Sequence, residues 1–316
     1  MDQDLERIIG TYEGKERGPL FICIGAMHGN EPAGVKAIDL VIKMLEVEPV
    51  KNPDFVYKGK FVGIIGNMKA YREAKRFIDK DLNRQFLKDK IEQLKSIPTS
   101  ELINEDKELI EILEVIQNEI DDYQPEQLVV LDLHTTSSKG GIFSICKSDE
   151  RVIKIAKALH APVVLGMLKG LQGTTLHYFV TENMGVDTIS LTFESGQHTE
   201  ELSITRAIAG IVCCLREINA VKREDVENYH EERLIENTKD LPVLTSLAYK
   251  YFIDHNEYFV MKPGYYNFQK VSKGDLIAKN SDGYILAEHD GLLLMPLYQS
   301  QGEDGFFIVQ EIEHDN

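Results

Sequence analysis

Two histidines and a glutamate have the residue types and the surroundings of a metal site. His28 and Glu31 are three positions apart in GAMHGNEPAG, directly after the apolar run at residues 20–25. His134 follows a second apolar run, in LVVLDLHTTSS. Two histidines and one carboxylate, with a fourth position open, are the ligand set of a catalytic rather than a structural zinc. Because an H-x-x-E pair alone is common by chance, the prediction of one zinc ion per chain requires that the fold bring His134 to this pair.

A further carboxylate ends the apolar run in TISLTFESGQH. Glu194 lies at the predicted end of this strand, where it could act as general base on a water and then as general acid to a leaving amine. The other interpretation is an exposed glutamate at a strand end. Asp132, two residues before His134, is either a partner that orients a histidine ligand or a strand-end or turn residue. His177 and His198 flank the Glu194 strand in sequence.

The segment FIDKDLNRQF contains a candidate substrate-binding pair, Asn83 and Arg84, in a predicted loop. Arginine suits a carboxylate because its planar group makes two parallel hydrogen bonds. Asn67 follows the run FVGIIG and is expected near Asn83 and Arg84, at the carboxyl end of a predicted strand. A role as a turn residue explains Asn67 equally well. Four basic residues close in sequence form either a local basic groove or a solvated helix face: Arg72, Lys75, Arg76 and Arg84.

The elements that must position these residues alternate between buried strands and helices. Short apolar runs lie at residues 20–25, 61–66, 128–133, 162–166 and 188–193. Helical periodicity lies between them, for example at Val35, Ile38, Ile42 and Leu45. This order predicts an α/β domain with a mostly parallel sheet flanked by helices. Ligands bind beyond the carboxyl ends of the strands in such sheets, so His28 and His134 are expected on one edge.

The composition divides the chain into three predicted parts. Residues 1–218 carry the α/β pattern and every candidate site residue. Residues 219–245 are highly charged and are predicted to be a connector. Residues 246–316 contain short apolar segments separated by turn signals such as KPG, NSDG and EHDG, which predict a smaller C-terminal all-β domain.

Charge and composition exclude several classes of function. A formal net charge of −17 and a pI near 5.0 argue against nucleic-acid binding. No apolar run is long enough to span a bilayer, and the acidic N-terminus lacks an apolar signal core. The four cysteines form no C-x-x-C pair, which argues against a thiolate zinc site and fits a reducing compartment. A cytoplasmic location without a membrane partner is therefore expected, and a homo-oligomer is compatible with the sequence.

Together these segments resemble the succinylglutamate desuccinylase/aspartoacylase family, which belongs with the zinc carboxypeptidases in fold. The matching pieces, in order, are GAMHGNEPAG, GNMKAYREAKRFIDKDLNRQF, LDLHTTSS and TFESGQH. Four such pieces in the right order, each after a predicted strand, are specific. The resemblance implies zinc ligands at His28, Glu31 and His134, a general base and acid at Glu194, and a carboxylate-binding pair at Asn83 and Arg84.

Three positions depart from the family pattern, one of them a tyrosine near the C-terminus that is replaced within DGFFIV. The family has an arginine two residues after the asparagine of the GN turn, where it can stabilise an oxyanion, and Lys69 is expected to replace it here. The family also has an arginine for a second substrate carboxylate before the catalytic glutamate. In this chain Leu176 or His177, in GTTLHYF, lies nearest that place, which leaves acetylaspartate unsupported as the substrate.

The expected function is therefore zinc-dependent hydrolysis of a small, carboxylate-bearing N-acyl amino acid by a metal-activated water. One alternative is a zinc carboxypeptidase-type exopeptidase, which would use the same metal site and Arg84 on peptides. Another is a non-catalytic protein that senses a metal or an acidic metabolite. Glu194 argues against the latter, since a pure binding protein does not need a general base.

Overall fold

The computed structural model describes residues 5–254 and 256–312. In these ranges, the strands are β1 Ile8–Glu13, β2 Glu16–Gly25, β3 Lys58–Ile65, β4 Gln127–Thr136, β5 Ile142–Cys146, β6 Val163–Leu165, β7 Asp187–Gln197, β8 Leu244–Phe252, β9 Val260–Met261, β10 Gln269–Val271, β11 Leu276–Asn280, β12 Gly283–Leu286, β13 Gly291–Leu294 and β14 Asp304–Glu311. The α-helices are α1 Ala33–Lys51, α2 Met68–Arg72, α3 Lys88–Leu94, α4 Asn104–Tyr123, α5 Glu150–Ala158, α6 Met167–Gly170, α7 Thr175–Tyr178, α8 Thr181–Met184, α9 Leu202–Glu217 and α10 Glu231–Thr238. Short 3₁₀ helices occupy Leu82–Arg84 and Thr99–Glu101.

One large sheet organises the molecule, with strand order β1-β3-β2-β4-β7-β5-β6-β8-β14-β13-β10. The central strands β3, β2, β4 and β7 are parallel, so their carboxyl ends share one edge of the sheet. Strand β5 runs antiparallel to β7, and β6 and β8 continue parallel to β5. The predicted α/β architecture with a parallel centre is confirmed.

Alternating side chains of the central strands bury both faces of the sheet. Phe21 and Cys23 of β2 pack in one core with α1 and α9, whereas Ile22 and Ile24 pack in the other core with α4. Period-2 alternation explains why neighbouring residues enter different cores. Helices on both faces leave the strand ends as the part of the sheet that can hold polar groups.

The C-terminal strands form an antiparallel region that continues the large sheet. Strand β8 pairs with β6, and β14, β13 and β10 follow it in the same sheet. Strands β9, β11 and β12 form a separate three-stranded sheet. Residues 219–245, predicted to be a connector, contain α10. The predicted boundaries at 218 and 246 stay predictions, and residues 1–4, 255 and 313–316 of those parts lie outside the described residues.

In the described ranges, no helix combines the length and the apolar composition that a membrane crossing requires.

Candidate metal centre and cleft

The parallel strands carry the predicted site residues to one edge of the sheet. His28 follows the end of β2, and His134 of β4 lies opposite Glu194 of β7 in the strand register. His134 and Glu194 were predicted after and at the ends of their strands, but hydrogen bonding continues past both residues. Gly25 permits α1 to start close to β2, since a Cβ there would lie 2.6 Å from the Val35 backbone nitrogen.

Three of these side chains converge in the buried interior of a cleft. Glu31 Oε1 lies 2.9 Å from His28 Nδ1, and Glu31 Oε2 lies 3.1 Å from His134 Nδ1. One ligand atom from each residue lies within 4.8 Å of the others, and all three residues are buried. Burial opposes ionisation, but His28 and His134 hold the pKa of Glu31 well below its usual value. Two imidazole nitrogens and a carboxylate directed at one point fit a divalent metal such as zinc.

Two aspartates bind the opposite nitrogens of the histidine rings. Asp81 Oδ1 lies 3.2 Å from His28 Nε2, and Asp132 Oδ2 lies 2.9 Å from His134 Nε2. A carboxylate at Nε2 favours the tautomer that keeps its proton there and leaves the Nδ1 lone pair for a metal. Asp132 therefore orients His134 rather than ending a strand. Although burial lowers the pKa of His134, Asp132 and Glu31 raise it well above its ordinary value.

Glu194 lies in the same cleft without a partner. The residue is 4% exposed, and Glu194 Oε2 accepts no hydrogen bond within the part of the chain that the structure describes. Burial raises its pKa to about 8, while the neighbouring positive charge on His134 opposes the shift. A buried carboxylate that neither caps a backbone group nor forms an ion pair is available for proton transfer.

Arg76 also lines the cleft and was not predicted to be a site residue. Its Nη2 lies 3.0 Å from Asp81 Oδ2, and its Nη1 lies 3.7 Å from Glu31 Oε1. Asp81 thus holds both His28 and Arg76, and these contacts lower the pKa of Asp81 despite its burial. The sequence feature that could have identified Arg76 is the basic cluster at residues 72–84. Arg76 and Arg84 of this cluster line the cleft, whereas Arg72 and Lys75 are exposed to solvent.

Asn83 and Arg84 lie in the cleft as predicted, on the 3₁₀ helix that Asp81 caps. Asn83 Oδ1 accepts a hydrogen bond of 3.0 Å from the backbone N–H of Thr175. Arg84 Nη1 donates to the Asn83 carbonyl oxygen at 2.7 Å, and Nη2 pairs with Asp304 of β14. Asp304 was not predicted to be a site residue and lies 220 positions from Arg84, in the DGFFIV segment where the chain departs from the family pattern.

Asn67 and Lys69, the other two predicted site residues, do not line the cleft. Asn67 is fully buried, accepts from the Ala70 N–H at the start of α2, and donates to Glu105. Lys69 Nζ donates to Asn104 Oδ1 at 2.7 Å at an exposed position. The predicted roles are corrected accordingly: Asn67 caps a helix, as its turn interpretation allowed, and α2 directs Lys69 toward Asn104 rather than into the cleft.

The C-terminal segment closes one side of the cleft. Gln299 Oε1 accepts from Asn30 Nδ2 at 3.1 Å and lies 3.3 Å from His198 Nε2, while Thr135 Oγ1 lies 2.7 Å from His198 Nδ1. His177 instead contacts Thr174, which caps α7, and the Leu168 carbonyl oxygen of α6. The cleft is also lined by seven apolar residues: Ile145, Leu168, Leu171, Leu176, Met295, Leu297 and Phe307.

Comparison with known proteins gives a family match and a fold match. Residues 17–218 match the family model described as the succinylglutamate desuccinylase/aspartoacylase catalytic domain. The chain is 33% identical over 119 residues to a probable aspartoacylase from Nostoc sp., an alignment that covers 38% of this chain and 36% of that relative's length.

Solved structures share the fold at low sequence identity. Succinylglutamate desuccinylase from Vibrio parahaemolyticus superposes with a TM-score of 0.64 at 18% identity, over 94% of this chain and 83% of that one. The product-bound ectoine utilization protein EutE (DoeB) from Ruegeria pomeroyi gives a TM-score of 0.62 at 17% identity, over 95% and 87%. The similarity extends through the C-terminal antiparallel region as well as the part that the family model matches.

Proposed function

The chain belongs to the succinylglutamate desuccinylase/aspartoacylase family of hydrolases, and we propose that it is a zinc-dependent amidohydrolase of small N-acyl amino acids. The observation that carries this proposal is the convergence of His28 Nδ1, His134 Nδ1 and Glu31 beside the unpartnered Glu194. A metal site alone would serve a binding protein. A buried carboxylate in the same cleft supports a reaction that moves a proton.

The donor set defines what each residue contributes. His28, Glu31 and His134 would hold one zinc ion, while Asp81 and Asp132 keep both imidazoles in the ligating tautomer. When bound, the ion supplies a Lewis acid that polarises a carbonyl and lowers the pKa of water to about 7. Two histidines and a glutamate leave a fourth position for the reacting groups.

Glu194 is the proposed proton carrier. It takes a proton from the attacking water and delivers that proton to the nitrogen of the breaking amide bond, so that a carboxylic acid and an amine leave. This role is supported by its unpartnered Oε2 and by its burial, because a carboxylate without a competing partner is free to accept and return a proton. Arg76, beside Glu31, is placed to stabilise the negative charge that develops on the carbonyl oxygen.

Asn83 and Arg84 are proposed to bind the substrate carboxylate. Of the five N–H donors of a guanidinium, Arg84 uses one for the Asn83 carbonyl and one for Asp304. Three donors remain, and Arg84 lines the cleft. Because Asp304 also lies 2.6 Å from Lys250 Nζ, Arg84 is held at one end and presents a fixed orientation to the substrate. A carboxylate bound in this way would direct the scissile carbonyl toward His28, Glu31 and His134.

A small substrate is favoured over a peptide. Gln299 contacts both Asn30, on the turn that carries His28, and His198, beside Glu31. A chain extending from the cleft on this side would displace these contacts. The exopeptidase alternative therefore stays a second outcome of the substrate assay rather than the preferred function.

Metal content and turnover test the proposal together. Wild-type protein, His134→Ala and Glu194→Gln would be loaded with zinc, desalted and analysed for metal by mass spectrometry. Wild type and Glu194→Gln are expected to retain one zinc per chain, and His134→Ala is expected to lose it. Glu194→Gln should lower kcat by about 10²- to 10⁴-fold, the range of general acid–base catalysis. His289→Ala, which changes an exposed histidine outside the cleft, is the matched control.

The same proteins would be assayed with N-acyl amino acids and with C-terminal dipeptides. Hydrolysis of the N-acyl amino acids alone supports the proposed function, whereas cleavage of peptides alone replaces it with the exopeptidase. Full zinc retention by His134→Ala, or wild-type turnover by Glu194→Gln, contradicts the assigned roles.

A further inference from the structure

The part of the cleft beside Arg84 is apolar rather than charged. Six of the cleft-lining residues belong to or pack against one hydrophobic cluster, named here the apolar wall: Ile145, Leu168, Leu171, Leu176, Met295 and Phe307. Four of them are buried by the rest of the protein, and Leu168 and Met295 are half-buried. The wall therefore presents aliphatic and aromatic groups that are firmly packed from behind.

Backbone contacts place the apolar wall next to the carboxylate-binding pair. The loop between α6 and α7, which carries Leu171 and leads to Leu176 in α7, packs on the segment of Arg84, since the Phe86 N–H donates to the Gly173 carbonyl at 2.9 Å. A Cβ at Gly173 would lie 2.3 Å from the Arg84 carbonyl oxygen, so this approach requires glycine. From the other side, β14 contributes both Asp304, the partner of Arg84, and the wall residue Phe307.

The charges of the cleft leave room for one substrate carboxylate. Among the described residues that line it, the arginines are Arg76 and Arg84, and each is paired with an aspartate. Arg76 lies against Glu31, at the metal end. At the other end Asp304, and Glu303 on the exposed rim, add negative charge. A second carboxylate placed against the apolar wall would be buried without a cation, which is strongly unfavourable.

Resting on the proposed function, we propose that the substrate is an N-acyl amino acid with a single carboxylate and an apolar side chain of about the size of leucine or methionine. The carboxylate and the side chain share one Cα, so a carboxylate held by Arg84 puts the side chain on the adjoining apolar wall. An aspartate or glutamate side chain would meet no unpaired cation among the described residues of the wall, since Lys250, near Phe307, already pairs with Asp304. A lysine side chain has no unpaired carboxylate in the part of the wall that the structure describes, because Asp304 is paired with Arg84 and Glu303 lies on the exposed rim.

The test compares substrates that differ only in the side chain. Zinc-loaded wild type would be assayed with the N-acetyl derivatives of L-leucine, L-methionine, L-aspartate, L-glutamate and L-lysine. The expected kcat/KM for leucine and methionine is about 100-fold or more above that for aspartate, given that one methylene in an apolar pocket is worth about 10- to 200-fold. An aspartate, glutamate or lysine derivative that equals or exceeds leucine overturns the inference but leaves the hydrolase function intact.

A wall variant makes the assignment specific. Leu168→Lys adds a cation at a half-buried wall position, and Leu102→Lys makes the same change at a half-buried position outside the cleft. Leu168→Lys should lower kcat/KM for N-acetyl-leucine by about tenfold or more and raise it for N-acetyl-aspartate. An equal change for both substrates, or the same change in Leu102→Lys, contradicts the wall's role.

Binding to zinc-loaded Glu194→Gln, measured by titration calorimetry, separates the two proposals without requiring turnover or a wall variant. Tighter binding of N-acetyl-leucine than of N-acetyl-aspartate supports the substrate class even if wild type hydrolyses neither, in which case only the hydrolase function fails. Equal binding of both ligands, or no binding of either, overturns the substrate class.

Discussion

Replacing Asp132 by asparagine should weaken metal binding without removing a metal ligand. Asp132 is fully buried, lies 2.9 Å from His134 Nε2, and accepts a hydrogen bond of 2.7 Å from Thr175 Oγ1. If the asparagine oxygen faces His134, the ligating tautomer survives and only the negative charge is lost. If the amide NH₂ faces His134, Nε2 must accept, the proton moves to Nδ1, and the ligand lone pair is blocked.

These two orientations bracket the expected effect. Loss of a carboxylate behind a histidine ligand typically costs about 10- to 100-fold in metal affinity, which is about 1.4 to 2.8 kcal/mol of binding free energy. The assay is competition for zinc between the protein and a colorimetric chelator. Asp79→Asn is the control, because Asp79 accepts hydrogen bonds from Asn104 and is not hydrogen-bonded to a ligand histidine. Zinc affinity within about twofold of wild type, or an equal loss in the control, would refute the argument.

Three further predictions concern residues around the proposed metal ligands. Arg76→Met should lower kcat by about 10²- to 10³-fold, the usual effect of losing an oxyanion donor. The control is Lys69→Met, whose kcat should stay within about twofold of wild type because the Lys69 amine donates to Asn104, outside the cleft. Similar kcat values for both variants would contradict the role of Arg76. Asp304→Ala should raise KM by about tenfold with kcat nearly unchanged, because Arg84 loses the partner that orients it; an unchanged KM would remove that role. Glu105→Gln should lower the free energy of unfolding in urea by about 1–3 kcal/mol, because its buried carboxylate accepts three backbone N–H groups of the loop before the 3₁₀ helix, and wild-type stability would show that these bonds are dispensable.

The convergence of His28, Glu31 and His134 could be predicted because it follows from two simple regularities. Each residue lies near the carboxyl end of a short, mostly apolar run, and runs of that kind form parallel strands when helices separate them. Parallel strands bring these ends to one edge, so residues about 100 positions apart meet. The prediction required neither the exact strand ends nor the order of the strands. It therefore holds although β4 and β7 end a few residues later than expected.

Arg76, rather than the predicted Lys69, lines the cleft because of local backbone geometry that residue spacing in the sequence does not reveal. Asn67 caps α2, and this helix directs the next side chains toward α4, where Lys69 meets Asn104. After α2 the chain turns back toward the cleft, where Arg76 is one of the lining residues. The Glu105 carboxylate fixes the following loop by accepting its backbone N–H groups, beginning with that of Ile78. A position two residues after an asparagine can therefore lie farther from the site than one nine residues after it.

The cleft combines an N-terminal part of the chain, which carries the proposed metal ligands, with a C-terminal part, which lines the proposed side-chain pocket. Because the family motifs lie only in the first part, they do not predict the substrate. The N-terminal strands hold His134 and Glu194 inside the sheet, where hydrogen bonding fixes the register, and His28 lies just beyond the end of β2. The other side of the cleft comes from β14, through Asp304 and Phe307, and from the loop before β14. Neither residue lies in one of the four segments that resemble the family. Changes in that later segment can alter which side chain fits beside Arg84 while the metal ligands stay in place. For this reason the reaction class follows from the motifs, whereas the substrate must be inferred from long-range packing.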